Sequence, residues 1–119
     1  MVTKRPQQRF KDILDSINDI QTFCRGVTLE EFSENREKSF AVQLACLRMS
    51  EAARKLGEIA EQVEPDIPWS DIRNIGSVIR HDYDEVRVDD IWNTVQNDLD
   101  PLKAACERAL THPKIIDSE

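Results

Sequence analysis

The chain has 119 residues and a formal net charge of −7, which together limit its size class and its partners. Apolar residues make up 39% and charged residues 33%, a balance typical of one soluble globular domain. Three glycines and five prolines are few for a fold of many short strands, so the composition favours long helices. The acidic balance argues against broad binding of DNA or RNA, which needs many cations against phosphates, but it leaves room for a local basic cleft.

No apolar run approaches the roughly 20 residues that span a bilayer, and the polar N-terminal residues do not resemble a secretory signal. A cytoplasmic protein with no membrane contact is therefore the expectation. Three widely spaced cysteines lie in apolar helical patterns: Cys24, Cys46 and Cys106. Their spacing offers no Cys-x-x-Cys pair for zinc, and it predicts reduced, buried thiols.

Apolar residues recur every three or four positions in most of the chain, the spacing of a buried helix face. A first helix is predicted from Arg9 to a cap at Gly26, and Thr28 and Glu31 form a capping box that begins a short turn. The longest helical segment runs from about 34 to 63. Two prolines at 65 and 68 mark the turn that follows it.

Two more helices are predicted, Trp69 to Arg80 and a last one from Val88 to His112, with a bend or break near Asp100 at Pro101. The sequence therefore predicts an all-α fold, an up-and-down bundle of four to five helices. The domain is expected at residues 9–111, with flexible tails at 1–8 and 112–119. The many aliphatic positions also favour a homodimer.

The segment WSDIRNIGSVIRHDY carries the residues with most chemistry, since it holds one of two histidines and the only tyrosine. His81 ends the predicted helix, and a histidine can exchange protons near neutral pH because its free pKa is ~6.5. An arginine can bind a phosphate bidentately. These two groups suffice for RNA cleavage without a metal, in which a 2′-hydroxyl attacks the neighbouring phosphate. A lone histidine at a helix end is, however, more often a cap or a surface group.

Other sites are less favoured by the residue spacing. A metal site at His81, Asp82 and Asp84 is disfavoured because adjacent residues seldom converge on one ion, so neither a metal nor a cofactor is predicted. Four charged residues flank the apolar face of the longest helix: Arg48, Glu51, Lys55 and Glu58. They form either a solvated edge with helical ion pairs or one wall of a site beside His81.

The runs IPWSDIRNIGSVIRHDYDEV, DDIWNTVQNDLDPL and NREKSFAVQLACLRMSEAARKL resemble the HepT-like branch of the HEPN superfamily, over about residues 9 to 110. The resemblance implies an all-helical homodimer that acts as a metal-independent ribonuclease toxin, with its site in the dimer cleft. It also implies a partner antitoxin, a minimal (MNT-type) nucleotidyltransferase. The family motif is Arg-Asn-x-Leu-x-His-x-Tyr. Its histidine falls on His81, and its tyrosine, the acceptor that the partner adenylylates, falls on Tyr83.

The motif's arginine and asparagine fall instead on Gly76 and Ser77. Arg73 lies about one turn before Gly76, and Arg80 is adjacent to His81. Either arginine is therefore a candidate for the phosphate clamp that the resemblance implies. Arg80 is ranked first because it is closer to His81. Ser77, Glu51 and Asp82 are the expected supporting residues of the cleft.

Two functions therefore remain open, beside a purely structural dimer with no ligand, which only the acidic charge supports. The first is the ribonuclease toxin, which the retained His81, Asp82 and Tyr83 favour. The second is a non-catalytic helical subunit that binds substrate or presents it to a nucleotidyltransferase, which Gly76 and Ser77 favour.

Overall fold

The computed structural model describes residues 5–81 and 87–117, and in those ranges the chain forms eight helices and no strand. The helices are α1 (Pro6–Cys24), α2 (Leu29–Glu34), α3 (Arg36–Leu56), α4 (Ile59–Val63), α5 (Trp69–His81), α6 (Val88–Asn97), α7 (Leu99–Ala109) and α8 (Pro113–Ile116). The all-α prediction is thereby confirmed. No helix in the described ranges combines the length and apolar character needed to cross a membrane.

The long helices pack antiparallel, with α3 between α1 and α5, and α7 packs on α1. The Lys38 ammonium at the start of α3 donates to the Phe23 carbonyl near the end of α1. The Gln21 side chain, also near the end of α1, donates to Asp100 at the start of α7 over 2.8 Å. These contacts place α1 antiparallel to both neighbours, the arrangement of an up-and-down bundle.

The core is a continuous cluster of apolar side chains that all the long helices supply. Its largest members are fully buried: Phe10, Ile13, Ile17, Ile20, Phe32, Val42, Met49, Leu56, Trp69, Leu99 and Ile115. The three cysteines are also buried, as predicted, and none forms a disulfide. Burial raises the pKa of the Cys46 and Cys106 thiols to about 12, so both stay protonated near neutral pH.

The junction of α1 and α2 is close to its prediction. Gly26 takes a φ of +70°, a left-handed conformation that favours glycine, although the capping residue of α1 is Arg25. The capping box of α2 is confirmed, because Thr28 Oγ1 accepts from the Glu31 amide over 3.1 Å and Glu31 Oε1 accepts from the Thr28 amide over 3.3 Å.

Both ends of the described chain are more helical than predicted. α1 begins at Pro6, three residues before Arg9, because a proline at the first helical position loses no hydrogen bond. At the other end, the stretch expected to be a tail contains α8, whose Ile115 is fully buried in the core.

Two long predicted helices are broken, the first where a continuous helix was expected and the last close to the bend or break predicted near Asp100. The segment 34–63 divides into α3 and α4 at Gly57, whose φ of +60° lies outside the right-handed helix region. The last helix breaks at Asp98, two residues before Asp100. This places Pro101 in the first turn of α7, where an amide would have no acceptor within the helix.

Candidate functional site

The start of α5 is anchored in the core by Trp69, which orients the polar end of the same helix. The indole is 1% exposed and meets the Phe10 ring edge-on, with ring centroids 6.3 Å apart. Its Nε1 donates to the Glu64 carbonyl over 2.9 Å. A buried aromatic with its polar atom satisfied holds a helix firmly. Trp69 therefore anchors the start of α5, the helix that carries Arg80 and His81 in its last turn.

The middle of α5 packs closely on α3 where Gly76 meets the buried Ser50. The Ser50 hydroxyl accepts from the Gly76 amide over 3.0 Å and donates to the Arg73 carbonyl over 2.8 Å. A β-carbon at Gly76 would lie 2.9 Å from the Ser50 β-carbon and closer still to its hydroxyl. Because such contacts are well inside van der Waals distance, the two helices as packed leave no room for a side chain at position 76.

Arg80 folds back along α5 toward this close contact. Its Nη1 lies 3.4 Å from where a β-carbon of Gly76 would be and 3.7 Å from Glu51 Oε2 on α3. The Arg80 side chain is 37% exposed, so this ion pair remains open to solvent and contributes little to stability. A guanidinium thus lies over position 76 although residue 76 is a glycine.

His81 is exposed and is the last residue of α5. It follows Ser77 by four residues, so the two lie on the same side of the helix, one turn apart. The predicted Asp82 and Tyr83 lie outside the described residues.

Arg73, the second arginine predicted as a phosphate clamp, uses its guanidinium for hydrogen bonds within the fold. Its Nε donates to the Ala53 carbonyl over 3.2 Å, and Nη2 donates to the Gly57 carbonyl over 2.9 Å. The two Nη atoms also bind Glu61 at 2.8 and 2.7 Å. These hydrogen bonds raise the pKa of Arg73 and lower that of the Glu61 carboxyl. The guanidinium therefore joins the ends of α3 and α4 and is not brought together with Arg80 and His81.

Arg54 on α3 is a site residue that the sequence reasoning missed. Its Nη2 donates to the Ser77 hydroxyl and, over 3.1 Å, to the Arg73 carbonyl. Its buried Nε has no hydrogen-bond partner among the described residues. One signal could have found it: Arg54 follows Ser50 by four residues and Glu51 by three, so all three share a side of α3.

We refer to Glu51, Arg54, Ser77, Arg80 and His81 as the α3–α5 cluster. It combines two guanidinium groups, an imidazole, a hydroxyl and one carboxylate. Guanidinium groups bind phosphate and stabilise its negative charge, and an imidazole can move a proton. Within residues 5–81 and 87–117, no three His, Cys, Asp or Glu side chains are grouped as metal ligands would be. The cluster therefore contains the types of group that bind phosphate and that transfer protons.

Comparison with known proteins identifies similar chains. The sequence model of the family described as "Ribonuclease HepT-like" matches residues 13–109, which include the whole α3–α5 cluster. A "Probable ribonuclease HepT" of Thermococcus cleftensis is 30% identical over 98 residues, which cover 82% of this chain and 89% of that protein. "Putative RNase MJ1380" of Methanocaldococcus jannaschii is 27% identical over 107 residues, covering 89% of this chain and 98% of its own length. No solved structure matches this chain.

Proposed function

The chain belongs to the HepT-like ribonuclease family, and on this premise we propose that it cleaves RNA as a metal-independent endoribonuclease. The observation that carries the proposal is the position of Arg80. Its guanidinium lies over Gly76, the position of the motif arginine, and it is adjacent to the exposed His81. A guanidinium is therefore available over the motif position despite the glycine, on the residue that precedes a proton-transfer group.

The proposed reaction uses the RNA's own 2′-hydroxyl as the nucleophile. His81 removes the 2′-hydroxyl proton, the oxygen attacks the neighbouring phosphorus, and the bond from phosphorus to the 5′-oxygen breaks. The products are a 2′,3′-cyclic phosphate and a 5′-hydroxyl, and the protonated histidine returns its proton to the departing oxygen. Arg80 stabilises the negative charge that develops on the phosphoryl oxygens. Arg54 donates to Ser77, which lies on the same side of α5 as the histidine.

The biological role we propose is that of a toxin in a toxin–antitoxin pair in the cytoplasm, where RNA is accessible. Its antitoxin would be an MNT-type nucleotidyltransferase that silences the toxin by adenylylating Tyr83, two residues after His81. The active form would be a homodimer. Two large apolar side chains on consecutive turns of α3 support a dimer interface, because Phe40 is 55% and Leu44 59% exposed.

The alternative function is a non-catalytic helical subunit of a minimal nucleotidyltransferase. The contact of Gly76 with Ser50 favours it, since this packing has no room for an arginine side chain at the motif position. Glu51 also favours it, because a carboxylate near Arg80 weakens the attraction of that guanidinium for phosphate.

The test compares wild type with His81→Ala, Arg80→Ala, Arg73→Ala and Arg25→Ala, each expressed without a partner while growth and RNA integrity are followed. Purified proteins are then assayed on RNA in the presence of EDTA. We expect cleavage by wild type to persist in EDTA and to fall at least about 100-fold in His81→Ala and Arg80→Ala, the usual loss when a proton-transfer or charge-stabilising group is removed. The exposed Arg25 is the matched control, and its variant should stay active.

Arg73→Ala separates a structural role from a chemical one. It should lower the unfolding temperature, because it breaks the hydrogen bonds to Ala53, Gly57 and Glu61, while the folded fraction keeps cleaving. A folded wild type that neither inhibits growth nor cleaves RNA would remove the nuclease proposal and leave the partner-subunit function.

A further inference from the structure

A groove lies between α1 and α3, next to the α3–α5 cluster, with which it shares only Glu51. Its volume is about 220 Å³. The charged and polar residues that line it are Arg9, Asp12, Ser16, Arg48, Glu51 and Lys55. We call it the α1–α3 groove. Cations outnumber carboxylates there, although the whole chain carries a net charge of −7.

The carboxylates of the α1–α3 groove already have partners, whereas most of its cations do not. Asp12 accepts from Arg9 Nη1 over 3.2 Å and from Gln8 Nε2 over 2.9 Å. Arg48 and Lys55 are exposed and form no ion pair with any residue in the described ranges. The buried Nε of Arg9 likewise lacks a hydrogen-bond partner among the residues that the structure describes. The groove therefore offers unsatisfied positive charge and a donor to an anion.

The α1–α3 groove is continuous with the α3–α5 cluster through Glu51, which lines the groove and lies 3.7 Å from Arg80. Arg48 and Lys55 are seven residues apart on α3, so they lie on one side of the helix about 10 Å apart. A stacked nucleic-acid strand advances about 3.4 Å per nucleotide, so this span matches about three nucleotides. A strand with its reacting phosphate at Arg80 could continue along these cations.

We propose that the α1–α3 groove binds the phosphate backbone of single-stranded RNA beside the cleavage site, with Arg48 and Lys55 as phosphate ligands. This inference rests on the proposed ribonuclease function for its choice of ligand. The lining residues include no aromatic side chain on which a base could stack, so the groove holds the strand without reading its sequence. Glu51 lies between the two cations in the chain, and its ion pair with Arg80 partly neutralises its charge.

The experiment measures RNA binding in the His81→Ala background, which allows binding to be observed without cleavage. Fluorescence anisotropy of a short labelled single-stranded RNA gives the dissociation constant at about 50 and 200 mM salt. Each phosphate contact to a single strand contributes about −0.7 to the slope of log affinity against log salt. Arg48→Glu with Lys55→Glu should weaken binding at least about tenfold at the lower salt. It should also make the slope shallower by about 1.4, so that the loss of affinity between the two salts is about sevenfold smaller.

A second variant, Arg48→Gln with Lys55→Gln, removes the same two charges with less change in net charge, and it should show the same change in slope. The control is Arg25→Glu with Lys103→Glu, which alters net charge equally at two cations outside the groove. Circular dichroism establishes that each variant is folded. Equal weakening by the control and groove variants would overturn the proposal, since binding would then depend only on net charge. Failure of the folded His81→Ala parent to bind RNA at low salt would overturn it as well.

This experiment distinguishes failure of the groove assignment from failure of the ribonuclease proposal. If wild type cleaves no RNA but the His81→Ala protein binds it through Arg48 and Lys55, the groove assignment stands and the ribonuclease function falls. If wild type cleaves RNA and the groove variants bind as tightly as their parent, the ribonuclease function stands and the groove assignment falls.

Discussion

Gly76→Ala is expected to destabilise this protein, which is the reverse of the usual effect of replacing a glycine inside a helix. At an open helical site, alanine is favoured over glycine by about 1 kcal/mol. At Gly76 the new methyl group would lie 2.9 Å from the Ser50 β-carbon and closer to the Ser50 hydroxyl. To relieve that overlap, α5 must move away from α3, or Ser50 must give up its hydrogen bonds to the Gly76 amide and the Arg73 carbonyl.

The magnitude follows from these opposing effects. Overpacking a well-packed interface costs about 1–3 kcal/mol, and each lost hydrogen bond costs about 1 kcal/mol. If one of the two Ser50 hydrogen bonds is lost, subtraction of the gain of about 1 kcal/mol in helix propensity leaves a net destabilisation of about 1–3 kcal/mol. For a domain of this size, the expected fall in unfolding temperature is roughly 4 °C per kcal/mol.

Urea unfolding at one fixed protein concentration measures the effect, and a double-mutant cycle with Ser50→Gly assigns it. Ser50→Gly removes both atoms that crowd the new methyl, so Gly76→Ala in that background should be neutral or stabilising. The coupling between the two sites should therefore be about 2 kcal/mol or more. Asn74→Ala, at an exposed position of α5, is the control and should change stability by less than about 0.5 kcal/mol. Stabilisation by Gly76→Ala in the wild-type background would refute the packing argument.

Two further predictions concern the partners. Tyr83→Phe removes the hydroxyl acceptor, so incubation with the cognate nucleotidyltransferase and ATP should leave this variant unmodified while wild type gains an adenylyl group, as measured by mass spectrometry; modification mapped to another residue would redirect the assignment. Leu44→Glu places a charge on the exposed apolar surface of α3, so light scattering should show a dimeric wild type and a monomeric variant. Gln96→Glu on α6 is its control, and a monomeric wild type would contradict the dimer.

Local interactions made much of the fold readable from the sequence. The helical spacing of Phe10, Ile13, Ile17 and Ile20 identifies the buried face of α1, because four positions at threes and fours can share only one side of a helix. The capping box of α2 was equally readable, since both of its hydrogen bonds lie within four residues. The break at Gly57 was not, because apolar spacing continues on both sides of it and only the positive φ ends α3.

The candidate site was harder to predict because the partners of its polar side chains are set by the helix that packs opposite them. Arg73 and Arg80 are two turns apart on α5, and sequence spacing cannot assign their partners. Arg73 meets Glu61 across the end of α3, whereas Arg80 meets the exposed Glu51. Arg54 was missed for the same reason, since its hydrogen bond to Ser77 joins residues 23 positions apart in the chain.

At the position where the motif arginine is absent, Ser50 and Arg80 both lie against Gly76. Ser50 is buried against Gly76, and a side chain at position 76 would displace it. Because position 76 has no side chain, the Arg80 guanidinium can lie over it. An arginine restored at position 76 alone would therefore clash with Ser50 and displace Arg80, so we expect it to impair the cluster. Because Arg80 and His81 are consecutive residues, a shift of the last turn of α5 would displace both side chains.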